Sequence, residues 1–133
     1  RQPRRKGTRC SACSADSRST PLAKKSAKTN LPQRVYVGPH VYSIVREQDI
    51  KSDEGRALWG QTRYANHQIA VDVNAPDDRA IETFFHECLH AIAATWTVRL
   101  KEREVVALSH GIVDFLKRNP DVCALYAKKS SMP

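Results

Sequence analysis

The sequence predicts an α+β fold, in which a small antiparallel sheet packs on two helices and a basic tail precedes the domain. Three observations support this prediction. Strand-like segments occupy the first part of the chain after residue 32, and two amphipathic helical patterns follow them. Strands that precede helices, instead of alternating with them, are typical of α+β proteins. The charge is also divided, because only the first 30 residues carry a net charge.

The N-terminal segment holds the whole formal net charge of +8. Residues 1–30 contain nine of the 22 Lys and Arg residues and one of the 14 acidic residues, whereas residues 31–133 contain thirteen of each sign. Leu22 is the one larger apolar residue in the segment, so burial cannot offset its chain entropy. We therefore predict a disordered or extended basic tail over residues 1–31 and a domain over residues 32–133. The tail is expected to bind nucleic acid or an acidic protein surface, and a solubilising tail without a specific partner is the alternative.

The four cysteines do not form a disulfide framework. Cys10 and Cys13 form a C-x-x-C pair, which is half of a zinc ribbon, whereas Cys88 and Cys123 lie in helical patterns. Metal binding by Cys10 and Cys13 is one hypothesis, and cysteines without a role are the alternative. The sequence shows neither an apolar signal segment nor an apolar stretch of about 20 residues. We therefore expect a cytoplasmic, reducing location and no membrane partner.

Four short segments have the composition and alternation of β-strands. In the clearest of them, Ile69, Val71 and Val73 face one side and polar or small residues face the other, which is typical of a half-buried strand. A Gly38-Pro39 turn separates the first two strands. The predicted strands span residues 35–37, 40–50, 57–61 and 68–73.

Two longer segments predict amphipathic helices, with apolar residues at three- and four-residue steps. The apolar face of the second helix is expected to centre between Leu108 and Ile112. Gly111 on this helix would allow a close approach to the first helix. The helical segments span residues 77–96 and 101–118, with a further short turn at 122–126.

The first helix contains the motif His86-Glu87-Cys88-Leu89-His90, an H-E-x-x-H pattern. His86 and His90 are four residues apart, so both imidazoles project from one face and can bind one Zn²⁺. Glu87 can accept a proton from a zinc-bound water and pass it to a leaving amine. At about 100° per residue the two histidines flank the buried stripe, where ligands that line a cleft are expected. The pattern predicts a catalytic zinc site, and two surface histidines beside a solvated glutamate are the alternative.

A catalytic zinc requires a third protein ligand, and the downstream candidates all lie on the second helix. Glu104 shares a side with Leu108 and is the preferred third ligand. Glu102 lies on the opposite flank and is the alternative, whereas His110 and Asp114 point away from the predicted core. A solvated acid in the first turn, favoured by the helix dipole, is the other interpretation of Glu104.

His67 immediately precedes the fourth predicted strand and shares the side of Ile69 and Val71. A histidine in this position could line the substrate groove or stabilise an oxyanion. A loop histidine without a role is the alternative.

A longer pattern surrounds the motif. Its segments are Leu58–Thr62, Gln68–Val71 and Glu82–Ile92, followed by a second helix at Lys101–Pro120. Together they resemble the short zincin-type proteins that are common in bacteriophage genomes, over roughly residues 33–120. The resemblance implies a minimal metallopeptidase fold in which Glu104, the acid before a Val-Val pair, is the third zinc ligand. The basic tail lies outside the shared pattern.

We therefore predict a zinc-dependent metallopeptidase that hydrolyses a polypeptide substrate, with Glu87 as general base and then acid. An extended peptide is expected to pair with the strand Ile69–Val73, taken as an edge strand. The alternative is a phage virion protein or a nucleic-acid-associated structural protein, in which zinc is structural or vestigial and the tail dominates function. A phage-encoded protein of either kind would act in the host cytoplasm or in the virion.

Overall fold

A computed structural model describes residues 29–127. The predictions for the basic tail, Cys10 and Cys13 lie outside the described residues. Within the described range the chain forms four strands and three helices in the predicted order. They are β1 (Arg34–Val37), β2 (His40–Glu47), β3 (Gly60–Arg63), β4 (Gln68–Asp72), α1 (Asp77–Thr95), α2 (Glu102–Arg118) and α3 (Pro120–Ala127).

The α+β class is confirmed, but the sheet is mixed instead of antiparallel throughout. Its strand order is β1-β2-β4-β3, and β2 pairs with β4 in parallel while the other two pairings are antiparallel. The chain leaves β2, forms β3 at the edge and returns through a turn at residues 64–67 into β4 beside β2. Residue alternation specifies which face of a strand is buried, but it does not specify which strands are neighbours.

The strand β4 is internal, which corrects the prediction that it is an edge strand. Both of its long sides are paired, since β2 lies on one side and β3 on the other. Ile69 and Val71 are fully buried, as the alternation predicted, and they belong to the main hydrophobic core. The two edge strands are β1 and β3, and β3 is the one that contacts Glu87 of the motif. Any chain that extends this side of the sheet must pair with β3.

Helix α1 covers one face of the sheet and contributes Ala80, Phe84 and Ala91 to the core. It packs against β3, β4 and α2. Because β3 and α2 both contact it, residues from all three elements can meet on the exposed side of α1. The H-E-x-x-H motif lies in the middle of this helix.

Helix α2 turns a different face to the core from the one that the sequence predicts. Its buried residues are Val105, Ser109 and Val113, whereas Leu108 and Phe115 are 44% and 51% exposed. Val105 belongs to the predicted apolar face and is buried, but the buried face extends from it towards Ser109 and Val113 instead of towards Leu108. Glu102 lies one turn before the buried Val105, so it is carried towards α1.

Two glycines provide a matched test of close packing. A Cβ atom added to Gly60 would lie 2.4 Å from Thr83 Cγ2 and 3.0 Å from the Ala70 carbonyl oxygen, whereas nothing lies within 4 Å of a Cβ at Gly111. The close helix approach that we expected at Gly111 is therefore absent.

We expect Gly60→Ala to lower the free energy of unfolding by about 1–3 kcal/mol, because β3 must move away from α1. Gly111→Ala should raise it by about 0.5–1 kcal/mol through helix propensity. Urea denaturation checks both, and equal effects would contradict the packing described here.

Between residues 29 and 127, no helix is both long enough and apolar enough to cross a membrane.

Candidate metal centre

His86 and His90 lie one turn apart on the same side of α1, as their spacing predicts. Their Nε2 atoms are 3.1 Å apart and the imidazole rings meet edge to face. The side chains are 18% and 25% exposed, so each ring is largely buried while its Nε2 atom can reach a cleft. The two Nε2 atoms therefore converge on one point.

The third member of the group is Glu102, at the start of α2. Its Oε1 atom lies 2.8 Å from His86 Nε2 and its Oε2 atom lies 3.1 Å from His90 Nε2. One carboxylate thus spans both imidazoles. Its side chain is 68% exposed, so it approaches the histidines from the solvent side.

Glu104, the preferred third ligand from the sequence, does not join this group. Its Oε2 atom accepts a hydrogen bond of 2.7 Å from the backbone N–H of Lys101, which satisfies a free donor at the start of α2. The two glutamates are two residues apart, so they project from different sides of the helix. The orientation of α2 brings Glu102 to the histidines and leaves Glu104 as a cap.

The donor atoms suit a metal ion. One ligand atom from each of His86, His90 and Glu102 lies within 4.8 Å of the others, and the group could hold a metal ion. Two imidazoles and one carboxylate form one of the three-ligand sets of catalytic zinc sites. Tetrahedral ligands at about 2.0–2.1 Å from zinc lie about 3.3 Å apart, which is close to the 3.1 Å that separates the two Nε2 atoms.

Glu87 is buried directly beside the histidines. The residue is 7% exposed, and the Thr62 hydroxyl lies 2.6 Å from its Oε2 atom. Among the described residues, Thr62 is the one donor to this carboxylate. Burial raises the pKa of the Glu87 carboxyl, whereas the Thr62 hydrogen bond and the nearby His86 and His90 oppose that rise. A buried carboxylate held in one orientation is suited to proton transfer.

The Thr62 hydroxyl should contribute measurably to stability. Thr62→Val keeps the shape but leaves the buried carboxylate without its donor, and we expect a loss of about 1.5–3 kcal/mol in the free energy of unfolding. Thr62→Ser keeps the hydroxyl and should lose about 1 kcal/mol or less, the cost of one methyl group. Urea denaturation with a chelator present compares the two without any metal contribution. If both variants lose the same stability, the hydrogen bond contributes nothing.

The centre opens into a groove with two lobes. Both lobes are lined by Leu58, Gly60, His86, Glu87 and Glu102. The tyrosine lobe is a cavity of about 300 Å³ that is also lined by Thr62, Tyr64 and His90. The tryptophan lobe is a cavity of about 270 Å³ that is also lined by Trp59, Arg79, Glu82, Val106 and His110.

Sequence reasoning assigned no role to Gly60, Thr62 or Tyr64. All three lie on β3 or in the turn after it, where the sequence indicated a weak strand and a turn. Partial burial, together with the negative charge of Glu87, raises the pKa of the Tyr64 phenol, and its hydroxyl can donate a hydrogen bond in the groove. The sequence signal for these residues is the short polar strand after Trp59. Their role depends on the packing of β3 against α1, which the sequence pattern does not specify.

The remaining sequence candidates are not members of the metal group. His67, which was expected to line the substrate groove, stacks on His40 with ring centroids 4.7 Å apart and meets Tyr42 edge to face, and it lines neither lobe of the groove. His110 Nε2 lies 3.9 Å from Glu82 Oε2 in the tryptophan lobe. Asp114 lies 3.7 Å from Arg118 on the exposed side of α2.

A scan against protein-family models matches no family, and searches of curated proteins and of solved structures find no match to this chain. The structure itself shows an α+β domain with a two-histidine, one-carboxylate group that could hold a metal ion and a buried glutamate beside it.

Proposed function

We propose that this protein is a zinc-dependent peptidase that hydrolyses polypeptides. His86, His90 and Glu102 would hold the ion, and Glu87 would transfer protons. The observation that carries the proposal is the convergence of the two Nε2 atoms and the Glu102 carboxylate within 4.8 Å, beside a buried glutamate that is not a member of that group. The resemblance of the motif segments to short phage zincins supports the same chemistry.

Zinc is the metal that this donor set favours, because imidazole nitrogen together with a carboxylate is typical of catalytic zinc sites. When bound, zinc would act as a Lewis acid that polarises the peptide carbonyl and lowers the pKa of water. Mg²⁺ and Ca²⁺ are less suitable, since they prefer oxygen ligands.

Glu87 would act as the general base and then as the general acid. Its carboxylate would accept a proton from the attacking water and return it to the amine of the leaving peptide. Thr62 holds Oε2 through its 2.6 Å hydrogen bond, so the carboxylate keeps one orientation during the transfer. Tyr64, a neutral donor in the same groove, would bind the substrate carbonyl or the charge that develops on it.

The free edge of β3 would bind the peptide. The backbone N–H of Asp72 donates a hydrogen bond to the carbonyl oxygen of Trp59, just before β3. Hydrogen-bonded pairs alternate along an antiparallel ladder, so Gln61 is the next residue on this side that bonds to β4. Gly60 and Thr62 then direct their N–H and C=O groups to the free edge. An extended peptide paired there would pass beside His86 and Glu87, which line the same groove.

The test is zinc binding and hydrolysis by the wild-type protein. The metal-free protein is titrated with zinc, and the bound metal is counted by mass spectrometry. A mixed peptide library is then incubated with the zinc-loaded protein. We expect about one zinc per chain and new peptide termini that do not form when a chelator is present from the start. Zinc uptake without cleavage of any peptide or unfolded protein would overturn the enzymatic proposal.

A second candidate function belongs to the tail and can coexist with the first. The net charge of +8 lies in residues 1–30, which supports binding to nucleic acid or another polyanion. We expect the full chain to bind DNA or RNA with an affinity that falls steeply with salt, and deletion of residues 1–30 to remove that binding. Fluorescence anisotropy at several salt concentrations measures both. Unchanged affinity after the deletion would exclude the tail as the binding element.

A further inference from the structure

We infer that helix α2 binds a second copy of this chain, in antiparallel orientation, through a stripe of residues on its outer side. The members of this outer stripe are spaced alternately four and three residues apart: Glu104, Leu108, Gly111, Phe115 and Arg118. At about 100° per residue they lie within a sector of about 80° around the helix. This is the spacing with which two helices pack side by side.

The outer stripe holds large apolar side chains that the domain leaves uncovered. Leu108 and Phe115 are 44% and 51% exposed, and they lie on a different side of α2 from its buried residues. The following helix, α3, has no buried residue, and its Leu125 and Tyr126 are 67% and 74% exposed. Large apolar side chains that are grouped in this way on the surface are typical of a contact with another protein.

Gly111 lies at the centre of the outer stripe. Among the described residues, nothing lies within 4 Å of a Cβ atom added to Gly111, so the packing of the domain does not require a glycine there. Glycine also lowers the stability of a helix interior. At a crossing point with a second helix, the missing side chain would let the two backbones approach closely.

The outer stripe is complementary to itself when two copies run in opposite directions. If the copies cross at Gly111, Leu108 of one copy lies beside Phe115 of the other, since these residues are three and four positions from the crossing point. Glu104 and Arg118 are each seven positions from it, so each carboxylate meets the guanidinium of the other copy. Such a contact closes with two-fold symmetry, whereas a parallel pairing would bring like charges together.

Both charged ends of the outer stripe can accept a partner. The Lys101 N–H occupies Oε2 of Glu104, which leaves Oε1 for another donor. Arg118 lies 3.7 Å from Asp114, and both side chains are largely exposed, so this weak pair does not prevent Arg118 from binding a second carboxylate. Because the first turn of α2 is acidic and its last turn is basic, the antiparallel arrangement also places opposite charges together at each end.

The dimer would leave the groove open in each copy. Leu108, Gly111 and Phe115 line neither lobe, whereas Val106 and His110 on the same helix line the tryptophan lobe. The contact therefore does not depend on peptide hydrolysis or on bound zinc.

The test measures the mass of the full chain by analytical ultracentrifugation over a range of concentrations, and we expect a monomer–dimer equilibrium. Leu108→Lys should weaken the dimer at least about tenfold, because a charge enters the apolar contact twice in each dimer. Val41→Lys is the matched control, since Val41 is 45% exposed on β2 and lies outside the outer stripe, and it should leave the dimer intact. Circular dichroism checks that both variants fold.

Exchange of the charges tests the antiparallel pairing. Glu104→Arg and Arg118→Glu each bring like charges together and should weaken the dimer about five- to tenfold, whereas the double variant should return to within about threefold of the wild type. The monomer cannot explain this recovery, because the double variant lacks both the Glu104 cap and the Arg118–Asp114 pair.

Three results would overturn the inference. The first is a wild-type chain that stays monomeric at its highest soluble concentration. The second is equal dimerisation of Leu108→Lys and Val41→Lys. The third is a double variant in which the losses of the two single variants simply add.

Discussion

Glu87→Gln is expected to retain zinc and to lose about 10²–10⁴-fold in the rate of peptide hydrolysis, the usual contribution of a general acid–base residue. The amide keeps the size of the side chain and still accepts the Thr62 hydrogen bond, but it cannot accept the proton of the attacking water. Because Glu87 is outside the ligand group, its replacement should leave the metal in place. Zinc content and initial rates on the same peptide measure the two effects separately.

The matched control is Glu54→Gln, in an exposed loop where Glu54 pairs only with Arg56 among the described residues. It makes the same chemical change and should alter neither zinc content nor rate. If Glu87→Gln hydrolyses peptides as fast as the wild type, Glu87 is not the proton-transfer residue. If it loses zinc as well, its role is structural.

The second large effect concerns the third ligand. Glu102→Ala removes the carboxylate that spans both imidazoles, at 2.8 Å and 3.1 Å, and should weaken zinc binding by at least about a hundredfold, since even partners outside the ligand shell contribute 10–100-fold. The side chain is largely exposed, so its removal should not unfold the protein. Competition with a zinc-binding dye measures the affinity.

Glu104→Ala is the control on the same helix. It removes the acceptor for the Lys101 N–H, and the expected cost is about 0.3–1.5 kcal/mol in the free energy of unfolding, with zinc affinity unchanged. The reverse result, zinc lost in Glu104→Ala and kept in Glu102→Ala, would restore the ligand that the sequence favoured. Loss of zinc in both variants would mean that the start of α2 must be intact before either carboxylate can bind.

The fold could be predicted from the sequence as far as its elements. The strand alternation around Ile69 and the apolar steps of α1 are local patterns, and the structure places both elements within a few residues of their predicted bounds. The pairing of β2 with β4 could not be predicted, because it depends on where the chain crosses after Glu47. The choice of β3 as the free edge depends on the same crossing.

The orientation of α2 is the point at which sequence reasoning failed for the site. Leu108 and Phe115 are the larger apolar residues, and they suggested a buried face that includes Glu104. The structure buries Ser109 and Val113 beside Val105, on the side of α2 that contacts α1. Because α2 is rotated about its own axis relative to the predicted orientation, Glu102 lies at the two histidines in place of Glu104.

The sequence by itself determined the pairing of His86 with His90 and the position of Glu87 between them, because residues on one helix are placed by the helical repeat alone. It also determined where the charge of the chain lies. Only the tertiary structure decided that Glu102 completes the group, that Thr62 holds Glu87 and that Trp59 and Val106 form a lobe beside them. These contacts join β3, α1 and α2, whose relative positions follow from the packing of whole surfaces and not from any local pattern.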